Sequence, residues 1–170
     1  TGSTPVGRAL LAEAAKTVVN CSMELGGNAP FVVFDDADLD SALDGAIVAK
    51  MRNAGEACTA ANRFIVQSGI HDAFVAGLVK RMAAVKMGPG TDPATGCGPM
   101  ITKKAVDKIE KLVADAVTRG AKVALGGTRP AEKGFYYPPT VMTGVSTQSE
   151  MTHEEIFGPV APIYRFDTDE

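Results

Sequence analysis

Short, continuous apolar runs alternate along this chain with stripes of helical period, and that alternation confines it to one fold class. Phe31-Val32-Val33-Phe34, closed off by Pro30 and Asp35, has no polar residue to turn toward water. It reads as a strand covered on both faces inside a parallel sheet. Leu39, Ala42, Leu43, Ala46, Ile47 and Lys50 then follow the i, i+3, i+4 rhythm of an amphipathic helix, broken by Asn53-Ala54-Gly55. A second strand runs from Arg63 to Gln67, and Ile70, Phe74, Leu78, Met82 and Val85 stripe the next helix. Gly88 to Gly98 is a loop rich in Gly, Pro and Thr. Thr102 caps a further helix with Ala105, Ile109, Leu112, Val113 and Ala116 inward and Gly120 at C′. Strand-like runs follow at Lys122–Leu125 and Val160–Phe166. Tyr136–Val145 is extended but carries Pro138 and Pro139, which suits a sheet edge. Ahead of all this, Thr4 as N-cap and Pro5 at N1 open a helix carrying Val6, Leu10, Ala14 and Val18. The expectation is an α/β fold: a parallel sheet with helices on its faces and right-handed crossovers.

Composition narrows what such a fold does. The 170 residues are 45% hydrophobic and 22% charged, as in an ordinary globular domain. A formal net charge of −3 provides no basic field for nucleic acid or an anionic membrane, so neither partner is expected. No apolar run approaches the ~20 residues of a membrane span. Three cysteines at unrelated spacings, Cys21, Cys58 and Cys97, read as free thiols in a reducing cytoplasm. No metal site is expected. The opening Thr1-Gly2-Ser3-Thr4-Pro5 reads as a loop entering a helix, and the chain stops just after a strand-like run. A segment of a longer chain is the expectation.

Chemistry concentrates in four places. Cys58 lies in the polar, Gly-containing loop Asn53–Thr59, where a thiolate is reachable as a nucleophile. The alternative is a small buried apolar residue, the commonest fate of a free cysteine. Glu24 precedes Leu25-Gly26-Gly27-Asn28, and burial there would suit it to general-base work; a surface glutamate before a turn is the alternative. Glu154-Glu155-Ile156-Phe157-Gly158-Pro159 is either an exposed acidic loop or one whose acid accepts hydrogen bonds from sugar hydroxyls. Gly2-Ser3, at a helix N-terminus, offers backbone N–H groups to a phosphate.

In that order, Thr1-Gly2-Ser3-Thr4 with Gly7, Glu24-Leu25-Gly26-Gly27-Asn28, Gly55-Glu56-Ala57-Cys58 and Glu155-Ile156-Phe157-Gly158-Pro159 resemble the NAD(P)-dependent aldehyde dehydrogenase superfamily along the whole chain. The resemblance implies a three-layer α/β catalytic domain, truncated here, since full-length members are roughly three times as long. Residues 1–27 would close the NAD(P)-binding domain and 28–170 would form an incomplete catalytic domain. By the same resemblance Cys58 is the nucleophile that gives a thiohemiacetal and then a thioester, and Glu24 activates the hydrolytic water. Leu25 touches the nicotinamide end, and Gly2 and Ser3 lie on the pyrophosphate. Glu155 holds the nicotinamide ribose, with Phe157 packed beside it. The family's oxyanion asparagine and ribose-binding lysine match nothing here, so the 170 residues alone are expected to be inactive.

Arg52, six residues before Cys58, matches an arginine that holds the substrate carboxylate in succinate-semialdehyde dehydrogenases. A guanidinium fork suits that bidentate task, while a solvated helix-end cation is the alternative. Ala60 departs from members with a second cysteine two residues after the nucleophile, which removes a disulfide switch. Glu56 replaces the commoner glutamine, with no effect assigned. The implied activity is oxidation of succinic semialdehyde with NAD or NADP, in a homodimer or homotetramer. A CoA-acylating relative and an inactive scaffold are the alternatives; Glu24 counts against the first and the intact Cys58, Glu24 and Glu155 against the second.

Overall fold

The computed structural model describes residues 1–131 and 134–168. Five strands and five helices build it: α1 (Thr4–Ala15), β1 (Ala29–Val33), α2 (Leu39–Met51), β2 (Ala61–Gln67), α3 (His71–Ala83), α4 (Lys103–Thr118), β3 (Lys122–Leu125), β4 (Thr140–Thr143), α5 (Glu150–His153) and β5 (Val160–Phe166). The strands form one sheet in the order β1-β2-β5-β4-β3. Alternate residues of β4 and β5 face opposite ways, as the pleat requires. Val141, Ala161 and Ile163 join α2 and α3 in one core around Phe64, Phe74, Leu78 and Met82. Met142 and Val160 join α4 and α5 in a second around Ile109, Leu112, Tyr137 and Met151. Helices therefore cover both faces, and the three-layer α/β expectation stands. Phe64 lies between Phe31 and Phe74, with ring centroids 5.5 and 6.4 Å away. Each such buried side chain contributes about 1.5–3 kcal/mol of burial.

Several local expectations are corrected. Ser3, not Thr4, caps α1, its Oγ accepting from the Val6 N–H at 3.5 Å, which moves Pro5 from the expected first helical position to the second. The α1 stripe is not an inward face, because Val6 and Leu10 are each 47% exposed and only Gly7 is buried. β1 is an edge strand with Val32 and Phe34 half exposed, so it is not covered on both sides. β4, read as an edge, is interior: Pro138 and Pro139 precede the strand, leaving the Thr140 N–H free to donate to the Pro159 carbonyl. β1, β2, β5 and β4 are parallel, but β3 runs antiparallel to β4. Among the described residues no helix lies between β3 and β4, and without a crossover the chain returns in the opposite sense.

The elements that carry the site are well terminated. The Asp38 carboxylate caps α2 by accepting the Ser41 N–H at 2.8 Å, and Thr102 Oγ1 caps α4 through the Ala105 N–H at 3.2 Å. Among the described residues no helix is long and apolar enough to cross a membrane.

Candidate active site

α2 ends in a tight kinked turn over Arg52–Gly55, in which Asn53, Ala54 and Gly55 have φ of 52, 52 and 76°. The first two are side-chain-bearing residues in the left-handed region, a strained conformation held by its surroundings. Asn53 Nδ2 donates to the Glu56 carbonyl at 2.9 Å, and the Glu56 N–H returns to the Asn53 carbonyl at 2.9 Å. Gly55 must be glycine twice over: its φ is positive, and a Cβ there would collide with the Gly158 carbonyl. This turn delivers Cys58 to the surface as an exposed free thiol.

Opposite, residues 24–27 lie against the start of the chain. The Gly2 N–H donates to the Glu24 carbonyl at 3.2 Å, and the Gly26 N–H donates to the Gly2 carbonyl at 3.3 Å. The loop 154–159 forms the third wall. Glu155 Oε1 accepts the Gly27 N–H at 3.3 Å, and a Cβ on Gly26 would strike the same carboxylate. Phe157, exposed at the rim, has φ 55°.

These walls enclose a groove of about 380 Å³ lined by Gly2, Ser3, Glu24, Leu25, Cys58, Glu155 and Phe157, along with Lys108 and Ala105 of α4. A second hollow of about 430 Å³ shares Ser3, Gly26, Lys108 and Glu155 and is bounded further out by Asn28 and His153. Seven of the eight expected site residues thus meet in one place. The eighth, Arg52, does not: it opens into a separate recess of about 80 Å³ with Val48, Ala57 and Thr59. Glu24 is exposed, so the burial expected of it is not found. Ser3 commits its hydroxyl to capping α1.

The groove offers groups of the kind that could hold a dinucleotide. The N-terminus of α1, a run of glycine backbone, the carboxylates of Glu24 and Glu155 and one exposed aromatic ring line it. Among the described residues no cluster of three His, Cys, Asp or Glu has the arrangement of a metal site.

Four further residues complete the surroundings, and of these the sequence assigned no role to Lys50 or Lys108. Lys50 is fully buried; its Nζ donates to Asn62 Oδ1 at 3.0 Å and to the Gly158 carbonyl at 3.3 Å. Burial pushes its pKa down to about 7, against the pull of the Glu155 charge. Lys108 Nζ donates to the Glu155 carbonyl. Glu56 accepts the Ile101 N–H at 3.1 Å, a bond a glutamine side-chain oxygen could also accept. Cys97 is buried and its thiol is pushed up to about 11 by burial and the Glu56 charge, so it is inert packing.

The aldehyde dehydrogenase family model matches residues 1–170, the whole chain. The chain belongs to the aldehyde dehydrogenase family. It is 51% identical, over its full length, to a succinate-semialdehyde dehydrogenase of Paenarthrobacter nicotinovorans, of which it covers 38%. It is 48% identical to a 3-sulfolactaldehyde dehydrogenase of Pseudomonas putida, again over its full length and 35% of the relative. Among solved structures, succinate-semialdehyde dehydrogenase from Burkholderia pseudomallei superposes with a TM-score of 0.97 at 48% identity, over 99% of this chain and 35% of that one. The chain therefore spans about a third of the length of these aldehyde dehydrogenases.

Proposed function

We propose that this segment carries the thiol and the base of an NAD- or NADP-dependent aldehyde dehydrogenase acting on a small aldehyde with an acid group at its far end, succinic semialdehyde first among them. The observation that carries the reading is the meeting of Cys58 and Glu24 in one groove, whose other walls suit a dinucleotide. Residues 1–27 close the cofactor-binding domain and 28–170 form the nucleophile-bearing domain of a longer enzyme.

In this reading the Cys58 thiolate adds to the aldehyde carbonyl, and its backbone N–H supports the developing oxyanion. Bound NAD or NADP supplies a two-electron hydride acceptor. The resulting Cys58 thioester is hydrolysed by water whose proton passes to Glu24, releasing the acid and restoring the thiol. Gly2, Ser3, Leu25, Glu155 and Phe157 hold the cofactor against Cys58, an arrangement from which much of the rate derives.

Arg52 is the acid-group receptor in this reading. Support comes from its place in the recess that Ala57 and Thr59 share, immediately either side of Cys58. The two relatives named above act on aldehydes that differ in their acid group, carboxylate in one and sulfonate in the other, and a guanidinium accepts both. The same reading makes the enzyme a cytoplasmic homodimer or homotetramer; the free thiols accord with a reducing compartment.

Cys58→Ala in the enzyme carrying this segment is expected to abolish aldehyde oxidation and leave cofactor binding within about twofold, since only the bond-forming atom is removed. Steady-state turnover above a few per cent of the parent's defeats the assignment.

A further inference from the structure

Lys50 is the one fully buried charged side chain among the described residues, and the chemistry above does not use it. A buried amine is costly unless its hydrogen bonds are made and their partners are well placed. Here they close a ring. Lys50, at the end of α2, reaches Asn62 on β2 and the Gly158 carbonyl in the third wall of the groove. Asn62 Nδ2 continues to the Gly27 carbonyl at 3.3 Å, and the Gly27 N–H returns to Glu155. Between Glu155 and Gly158 stands Phe157, in the left-handed region that a bulky residue keeps only under constraint. The Gly158 carbonyl that Lys50 holds is also the atom on which Gly55 of the nucleophile turn is packed.

We propose that Lys50 is a positioning residue: its amine clamps the loop Glu155–Pro159 onto both the Gly26-Gly27 loop and the nucleophile turn, and so fixes Glu155 and Phe157 at the groove wall. The clamp rests on the reading of that groove as the cofactor site only for its benefit to catalysis; its mechanical part stands on the geometry. A side chain that merely filled the space at Lys50 would be replaceable by methionine, which has similar length and no donor.

Hydrogen exchange on the 170-residue chain separates the two. In Lys50→Met, amides of residues 25–28 and 155–160 are expected to exchange about tenfold faster while the middle of α4 keeps its protection. Asn62→Ala, which cuts the ring at Gly27 and leaves the Lys50–Gly158 bond, is expected to loosen 25–28 alone, and it decides the matter if Lys50→Met does not fold. Unchanged local exchange, or a rise spread evenly over β2 and α4, overturns the clamp. In the enzyme carrying this segment, Lys50→Met is expected to raise the cofactor KM about tenfold while iodoacetamide modifies Cys58 at a rate within twofold of the parent's. Equal loss in both overturns the positioning role. A parent that oxidises no aldehyde overturns the functional reading, and the exchange result still decides the clamp.

Discussion

Titrating Lys50 leaves a signature in stability whose sign and size follow from its burial. Its amine is pushed from the ordinary 10.5 down to about 7 in the fold. Between those values the unfolded chain holds a proton that the folded chain has lost, so folding stability rises with pH there. Below about 7 both states are protonated and the cost of the buried charge is constant. The slope approaches about 1.4 kcal/mol per pH unit, giving a gain of about 2–3 kcal/mol from pH 6 to pH 9. Cys97 bounds the window from above. Its thiol rises from 9.0 to about 11, so beyond pH 9 the unfolded thiol alone ionises, and that loss offsets the gain Lys50 still gives up to 10.5. Tyr137, raised further still by burial, adds to that decline. The expected profile climbs to pH 9 and turns over between pH 9 and 10. Urea unfolding under reducing conditions, at pH steps from 6 to 10, reads it directly. With m near 2 kcal/mol/M the midpoint moves by about 1 M. Lys50→Met is the control, and its profile is expected to stay flat from pH 6 to 9 whatever its absolute stability. A flat parent profile, or an equal climb in Lys50→Met, refutes the linkage.

Two further perturbations address the chemistry in the enzyme carrying this segment. Glu24→Gln is expected to slow thioester hydrolysis more than hydride transfer, so rapid mixing shows a burst of reduced cofactor and then a slow phase; loss of the burst places Glu24 earlier in the sequence of steps. Arg52→Ala is expected to cost about 2 kcal/mol in kcat/KM for succinic semialdehyde, roughly thirtyfold, and to spare aldehydes without an acid group; equal losses on both make Arg52 structural.

What sequence revealed and what it hid divide along the range of the interactions involved. The strands at Arg63–Gln67 and Val160–Phe166, the helix stripes and the Thr102 cap are local patterns, and the structure has them within a residue or two. Strand order is not local. Nothing in Phe31-Val32-Val33-Phe34 tells that one flank of β1 stays unpaired, and Pro138-Pro139 excludes two positions from pairing without excluding β4 from the sheet interior. The stripe on α1 has the right period, yet periodicity cannot say what lies against it, and Val6 and Leu10 remain half exposed. At the site, the motif resemblance brought Cys58, Glu24 and Glu155 together on paper and the fold brings them to one groove. Exposure of Glu24 and the separate recess of Arg52 depend on how loops lie across one another, which spacing does not encode. One signal was present and unread. Lys50 falls on the inward stripe with Leu43 and Ala46, where a lysine is out of place unless something buried binds it.

The groove's third wall has a consequence for the order of events in time. Gly27 and Glu155 meet across 128 residues of chain. Closing so long a loop costs about 2 kcal/mol more entropy than closing one of ten residues, as much as a single N–H···carboxylate bond returns. The sheet removes that obstacle. Once β2 pairs with β5 from Phe64–Ile163 to Gln67–Phe166, Asn62 is two residues and Gly158 five residues from the first pair, and only a few residues are left to settle. The groove is therefore expected to assemble after the sheet and to come apart before it. A cysteine-reactive or cofactor-analogue probe placed there would lag behind the far-UV signal of the sheet during refolding, and would lead it during unfolding.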